Sequence, residues 1–155
     1  MPISDYCQRD VRTIPVDATL RAAAQRMADE GVGCLVAVAG RSVRGILTDR
    51  DLAVRVIREG LDPDTTNVAA ALTHDPLTIH ASSPLRVATA LMRRRAVRRL
   101  PVVDEREELV GIIALDDLLP MIAQELVALG AVAAAQAPHG SSLDPRSDNS
   151  GPQVE

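Results

Sequence analysis

Gly45-Ile46-Leu47-Thr48-Asp49-Arg50-Asp51 and Gly111-Ile112-Ile113-Ala114-Leu115-Asp116-Asp117 are two copies of one string, 66 residues apart. Each opens on an apolar run of strand length and passes into a helical pattern. Working outward, Thr13-Ile14 falls on Thr78-Ile79, Leu20-Arg21 on Leu85-Arg86, Ala23 on Ala88 and Met27 on Met92, all at a spacing of 65. Val32, Leu35 and Val38 fall on Val97, Leu100 and Val103 at that same spacing. The step from 65 to 66 occurs once, inside the polar loop Asp104–Glu108. Agreement at one spacing, broken once in a loop, marks a tandem duplication. Two copies are too few for a solenoid, so they are expected to pack together about a pseudo-twofold axis.

Each copy reads as β-α-β-β-α, an α/β (α+β) unit. Short strands are expected at Arg12–Ile14 and Leu77–Ile79. Leu20, Ala23, Ala24 and Met27 recur at helical spacing, as do Leu85, Ala88, Leu91 and Met92. Asp17 or Ser82/Ser83 is the expected cap, Pro84 the expected first helical residue, and Gly31 the stop of the first helix. Hairpins follow at Cys34–Val38 with Val43–Leu47, and at Leu100–Val103 with Leu109–Ile113. The second helices run from Asp49 to Glu59, closed by Gly60, and from Leu115 to about Ala128. Leu61–Thr66 reads as a linker. Residues 1–62 form repeat 1, residues 63–130 form repeat 2, and residues 131–155 hold a helix end and a tail. That tail is Pro/Gly/Ser/Asp-rich from Pro138 onward and is expected to be disordered.

Composition removes several function classes. The 155 residues contain no Phe or Trp, and Tyr6 is the one aromatic residue, so base-stacking platforms for single strands are excluded. All 17 cationic residues are Arg, which excludes Lys-based Schiff-base and P-loop chemistry. A net charge of −4 offers no overall attraction to nucleic acid or anionic lipid. The start lacks the basic and apolar regions of a signal peptide. The uncharged run Leu126–Ala135 is shorter than the ~20 residues a bilayer requires, so no membrane association is expected. Cys7 and Cys34 form no CxxC and are expected reduced in a cytoplasmic protein. His74, His80 and His139 lack ligand spacing, so no metal is expected. No nucleophile–base set stands out, and the chain is read as a non-enzyme.

Chemistry concentrates where strand meets helix at Thr48–Asp51. Free backbone N–H groups at a helix start attract phosphate. Thr48 adds a hydroxyl, Gly45 permits close approach, and Asp51 has two oxygens suited to the vicinal hydroxyls of a ribose. The same residues also read as a capping box, with acids where the helix dipole favours them. Both readings stand on these residues alone. Arg93-Arg94-Arg95 reads either as a phosphate or nucleic-acid contact or as a solvated, cationic helix end. Cys34 reads as a small core residue.

The duplicated unit, ending in Gly-x-x-Thr-x-x-Asp, resembles a CBS domain, and the tandem arrangement resembles a Bateman module. Arg98-Arg99-Leu100-Pro101-Val102-Val103-Asp104 and Gly111–Asp117 support the resemblance, which covers roughly Ile3 to Leu126. It extends to small stand-alone bacterial CBS pairs of the hypoxic response type, through Leu47–Asp51 and Gly60-Leu61-Asp62-Pro63. The resemblance implies a regulatory module taking AMP, ADP, ATP or S-adenosylmethionine in clefts between repeats, with no other cofactor. Asp51 would hold the ribose diol, Thr48 the ribose-phosphate side, Thr13-Ile14-Pro15 the adenine edge, and Arg98 and Arg99 the phosphates. Asp117 marks a weaker second site, because Ala114 replaces the hydroxyl and Gly33-Cys34 replace the two Arg. The resemblance also implies a homodimer through the second helices of the repeats, and an effector protein the sequence does not identify. The alternative is a structural CBS pair that binds no nucleotide.

Overall fold

The computed structural model describes residues 2–72 and 77–135. The chain divides into a unit ending at Pro120 and a second beginning at Met121. Its elements are a 3₁₀ turn (Ile3–Asp5), β1 (Thr13–Pro15), α1 (Leu20–Glu30), β2 (Cys34–Ala39), β3 (Ser42–Thr48) and α2 (Asp49–Glu59). There follow α3 (Val68–Ala71), β4 (Ile79–His80), α4 (Leu85–Arg95), β5 (Arg99–Val103), β6 (Leu109–Ala114) and α5 (Leu115–Ala135).

Two three-stranded sheets have the orders β1-β2-β3 and β4-β5-β6. In each, the first strand runs parallel to the second and the second antiparallel to the third. The parallel pair requires a crossover, which α1 and α4 supply. The expected α/β (α+β) repeats are present. The duplication reaches even the irregularities: the register shifts between Ala37 and Val38 in one sheet and between Val102 and Val103 in the other. The extra residue sits in the β5–β6 loop, where Asp104 accepts hydrogen bonds from the backbone N–H of Arg106 (2.9 Å) and Glu108 (3.0 Å).

Repeat 1 has a core of Ile14, Leu20, Ala23, Met27, Leu35, Ala37 and Leu47, closed by Val68, Ala71 and Leu72. Those last three come from beyond the linker. The backbone N–H of Val68 donates to Ala18 O (2.8 Å) and that of Ala69 to Val16 O (2.9 Å). Conversely, the N-terminal turn docks on repeat 2: Ile3 N–H donates to Ser83 O (2.9 Å) and Ser4 N–H to Ala81 O (3.0 Å). Gln8 and Ile112 exchange both backbone hydrogen bonds. Ile3 and Val68 are both 0% exposed, and they stand 65 residues apart, at equivalent places. Each repeat thus completes its core with the segment that leads into the other. Neither leading segment is apparent in the helical periodicity, because a single turn shows no period.

Between the sheets lies a second cluster of Val36, Val43 and Val103, with Val11, Val38, Ile46, Leu109 and Ile112 packed around it. Leu109 N–H donates to Arg41 O (3.0 Å), joining the two hairpins at their turns.

Three details correct the sequence expectations. The cap of α1 is Thr19, whose hydroxyl accepts from Ala22 N–H, two residues beyond the expected Asp17. Pro84 is itself the cap of α4, not its first helical residue, and makes no side-chain cap bond. α5 runs to Ala135 rather than about Ala128, because its end is rich in Ala, the strongest helix former. At 21 residues and mean hydropathy 1.8, α5 is long and apolar enough to cross a membrane by length and composition. The uncharged run counted in the sequence is only part of it. In the second unit, Leu126, Val127, Leu129 and Val132 are exposed on this helix. The expected tail from Pro138 lies outside the described residues.

Candidate functional site

The start of α2 is a complete capping box. Asp51 N–H donates to Thr48 Oγ1 (3.1 Å), and Thr48 N–H donates to Asp51 Oδ2 (3.0 Å). The Thr48 hydroxyl also donates to Asp51 Oδ2 (2.7 Å). The capping reading of these residues is therefore realised. It does not consume the carboxylate, since both bonds to Asp51 use Oδ2, and a carboxylate has about four lone-pair sites.

Beside this box opens a cleft of about 610 Å³, lined by Gly45, Ile46, Thr48, Arg50 and Asp51 of repeat 1 and by Leu77, Arg95, Ala96, Val97, Arg98 and Arg99 of repeat 2. That volume suits a small-molecule ligand. Of the residues singled out in the sequence, Gly45, Thr48, Asp51, Arg95, Arg98 and Arg99 meet here. Thr13, Ile14 and Pro15 do not line it: β1 pairs with β2, and Ile14 is buried in the repeat 1 core. Leu77, expected from the sequence as a strand residue and not as a ligand contact, precedes the equivalent strand of repeat 2. The exchange of places follows from packing repeats face to face, since a cleft between them draws its walls from different copies.

Gly45 lines the cleft and also faces the core. A Cβ there would come 3.3 Å from Leu72 Cδ2, so its bareness makes room for the exchanged segment. Gly111 does the same more stringently, with Cys7 Sγ 2.7 Å and Gln8 O 3.0 Å from the added atom. Leu72 and Cys7 are themselves equivalent residues, 65 apart.

Arg98 and Arg99 both approach Asp116, at 2.5 Å from Nη2 to Oδ1 and 4.0 Å from Nη2 to Oδ2 respectively. Cys34, the counterpart of Arg99, is a free thiol whose pKa burial pushes up, opposed by the positive charge of Arg99. Cys7 is also free. At the start of α5, Ala114 is buried and Asp117 half-buried. Ala114 carries no hydroxyl, so a Thr48-type side-chain cap cannot form there. Among the described residues, no group of three or more His, Cys, Asp or Glu is placed to hold a metal ion.

The CBS domain family model matches residues 3–58 and 68–124. The chain is 30% identical over 118 residues to an uncharacterized protein of Methanopyrus kandleri, covering 76% of this chain and 60% of that protein's length. It is 32% identical to hypoxic response protein 1 of Mycobacterium tuberculosis, covering 74% of this chain and 80% of the relative. A crystal structure of Hypoxic Response Protein I with two coordinated zinc ions matches with a TM-score of 0.70 at 29% identity, over 76% of this chain and 96% of that one. The CBS domain protein PAE2072 from Pyrobaculum aerophilum, complexed with AMP, matches with a TM-score of 0.70 at 28% identity, over 83% and 99%.

Proposed function

The chain belongs to the CBS domain family, and on that premise we propose that it is a non-enzymatic regulatory module that binds an adenosine nucleotide in the Thr48/Asp51 cleft. The observation that carries this reading is the convergence of Thr48 and Asp51 from one repeat with Arg98 and Arg99 from the other around about 610 Å³. Asp51 accepts from the ribose hydroxyls, Arg98 and Arg99 donate to phosphate, and Leu77 with the strand after it meets the base. Thr13-Ile14-Pro15, at the equivalent place, belongs to the opposite cleft, with Asp117. The complex of PAE2072 with AMP supports the ligand class. Such a ligand is available in the cytoplasm, where the module would pass its state to an effector protein.

The two clefts differ in affinity. Ala114 lacks a polar contact worth about 0.5–1.5 kcal/mol, and Arg–phosphate bonds add about 1.5–3 kcal/mol each to the first cleft. Titration calorimetry with AMP, ADP, ATP and S-adenosylmethionine is the test. One tight site per chain is expected. Asp51→Ala should weaken it at least about a hundredfold, which is about 2.7 kcal/mol, while Asp117→Ala changes little. Two equal sites, or full binding by Asp51→Ala, overturn the placement. No binding at all leaves the structural CBS pair as the reading.

A homodimer belongs to the same proposal. Leu52 and Val56 of α2 pack on the core, and Leu118 is buried, but Val54, Ile57 and Leu119 are exposed, Ile57 by 82%. A second copy covering these side chains is the symmetric solution. A lone 16.5 kDa species in sedimentation at micromolar concentration would overturn it.

A further inference from the structure

Asp116 is the one position at the helix starts where the repeats carry opposite charge: its counterpart is Arg50, which lines the Thr48/Asp51 cleft. Its carboxylate stands across both phosphate-facing guanidinium groups, 2.5 Å from Arg98 and 4.0 Å from Arg99. A carboxylate offers the same planar pair of oxygens that a phosphate presents to an Arg fork. From this geometry we infer that Asp116 is an internal counter-ion that the phosphate of a nucleotide must displace, and that it sets the cleft's discrimination between phosphorylated and unphosphorylated adenosine ligands. The inference rests on the nucleotide reading above.

The arrangement makes displacement easy. Arg98 is 66% exposed and Asp116 49% exposed, so both remain hydrated when they part. Exposed pairs of this kind are weak, and a phosphate with two negative charges outcompetes a single carboxylate. Ligands without an anionic tail leave the pair intact and gain nothing from Arg98 or Arg99. Asp116 therefore reduces affinity for every phosphorylated ligand while leaving adenosine untouched.

Asp116→Asn keeps the shape and removes the charge. Calorimetric titration of the wild type and this variant with adenosine, AMP, ADP, ATP and inorganic tripolyphosphate tests the role, with a thermal melt confirming that the variant is folded. The three nucleotides and tripolyphosphate should each bind roughly two- to fivefold more tightly to the variant, with adenosine unchanged. A gain shared by adenosine, no gain, or a loss of nucleotide affinity overturns the inference, the last by showing that Asp116 orients the two Arg. If tripolyphosphate gains and no nucleoside binds, the counter-ion role stands and the adenosine reading falls. If neither binds to either protein, both fall.

Discussion

Gly33-Cys34 and Arg98-Arg99 occupy the same place in the two repeats, where the chain leaves the first long helix and enters a strand. The backbone treats them identically. Gly33 O accepts from Asp49 N–H at 3.0 Å, and Arg98 O accepts from Leu115 N–H at 2.8 Å. The side chains do not. Gly33 leaves a space that Asp49 fills, since a Cβ there would come 3.2 Å from Asp49 Oδ2. Arg98 instead reaches outward to Asp116. Hydrogen bonds that define the repeat are main-chain bonds and survive divergence; the charges at this place are side-chain choices and do not. The duplicated fold repeats one main-chain frame, and sequence divergence equips its two copies with different side chains.

The exchanged segments give the strongest test of this comparison. Ile3 plugs repeat 2 as Val68 plugs repeat 1, and both are fully buried. Ile3→Ala should cost about 2–5 kcal/mol of stability in denaturant titration, the range for truncating a buried Ile. A loss below about 1 kcal/mol would show that the N-terminal turn does not hold repeat 2 as α3 holds repeat 1.

The paired glycines sharpen it. Gly111→Ala drives a methyl against Cys7 Sγ and the Gln8 carbonyl, and overpacking of this kind costs about 1–3 kcal/mol. Gly45→Ala comes closest to the flexible end of Leu72, at 3.3 Å, so it should cost clearly less in the same assay. Equal losses would mean that the two segments are seated equally tightly.

The helix ends differ as well. α1 closes on Gly31 at φ +64° and α4 on Ala96 at φ +53°, both left-handed. An L-residue pays about 1–2 kcal/mol in that conformation, less what Gly loses in entropy. Ala96→Gly is expected to raise stability by about 0.5–1 kcal/mol, seen as an upward shift in Tm, whereas Gly31→Ala lowers it.

The smallest expected effect is one of pH. Arg21 of α1 and Asp64 of the linker form a two-pronged ion pair that fastens the α3 segment to repeat 1. The hydrogen bond from Arg21 holds the Asp64 carboxyl below the usual carboxylate range. Its contribution is therefore present above the unfolded value of about 3.9 and is lost as pH falls through the lower folded value. Both groups are exposed, so Asp64→Asn should flatten the acid limb of the stability profile only slightly. A steepened limb would contradict the assignment.

Much of this molecule was readable in one dimension. Duplication placed the strands and long helices because apolar periodicity is local, and equal spacing between two copies checks each assignment against the other. It also brought Thr48 and Asp51 forward, since they lie three apart on one helix start, and it exposed Ala114 as the departure. What no spacing reveals is which copy lends its walls to which cleft. Thr13-Ile14-Pro15 belongs to the same repeat as Asp51, yet Leu77 of the other repeat lines the cleft. The same holds for the traded segments Ile3–Asp5 and Val68–Ala71, for Gly111 bare beneath Cys7, and for Asp116 across the two Arg. Each is a contact between residues 17 or more positions apart, and only the closed tertiary structure brings such residues within reach.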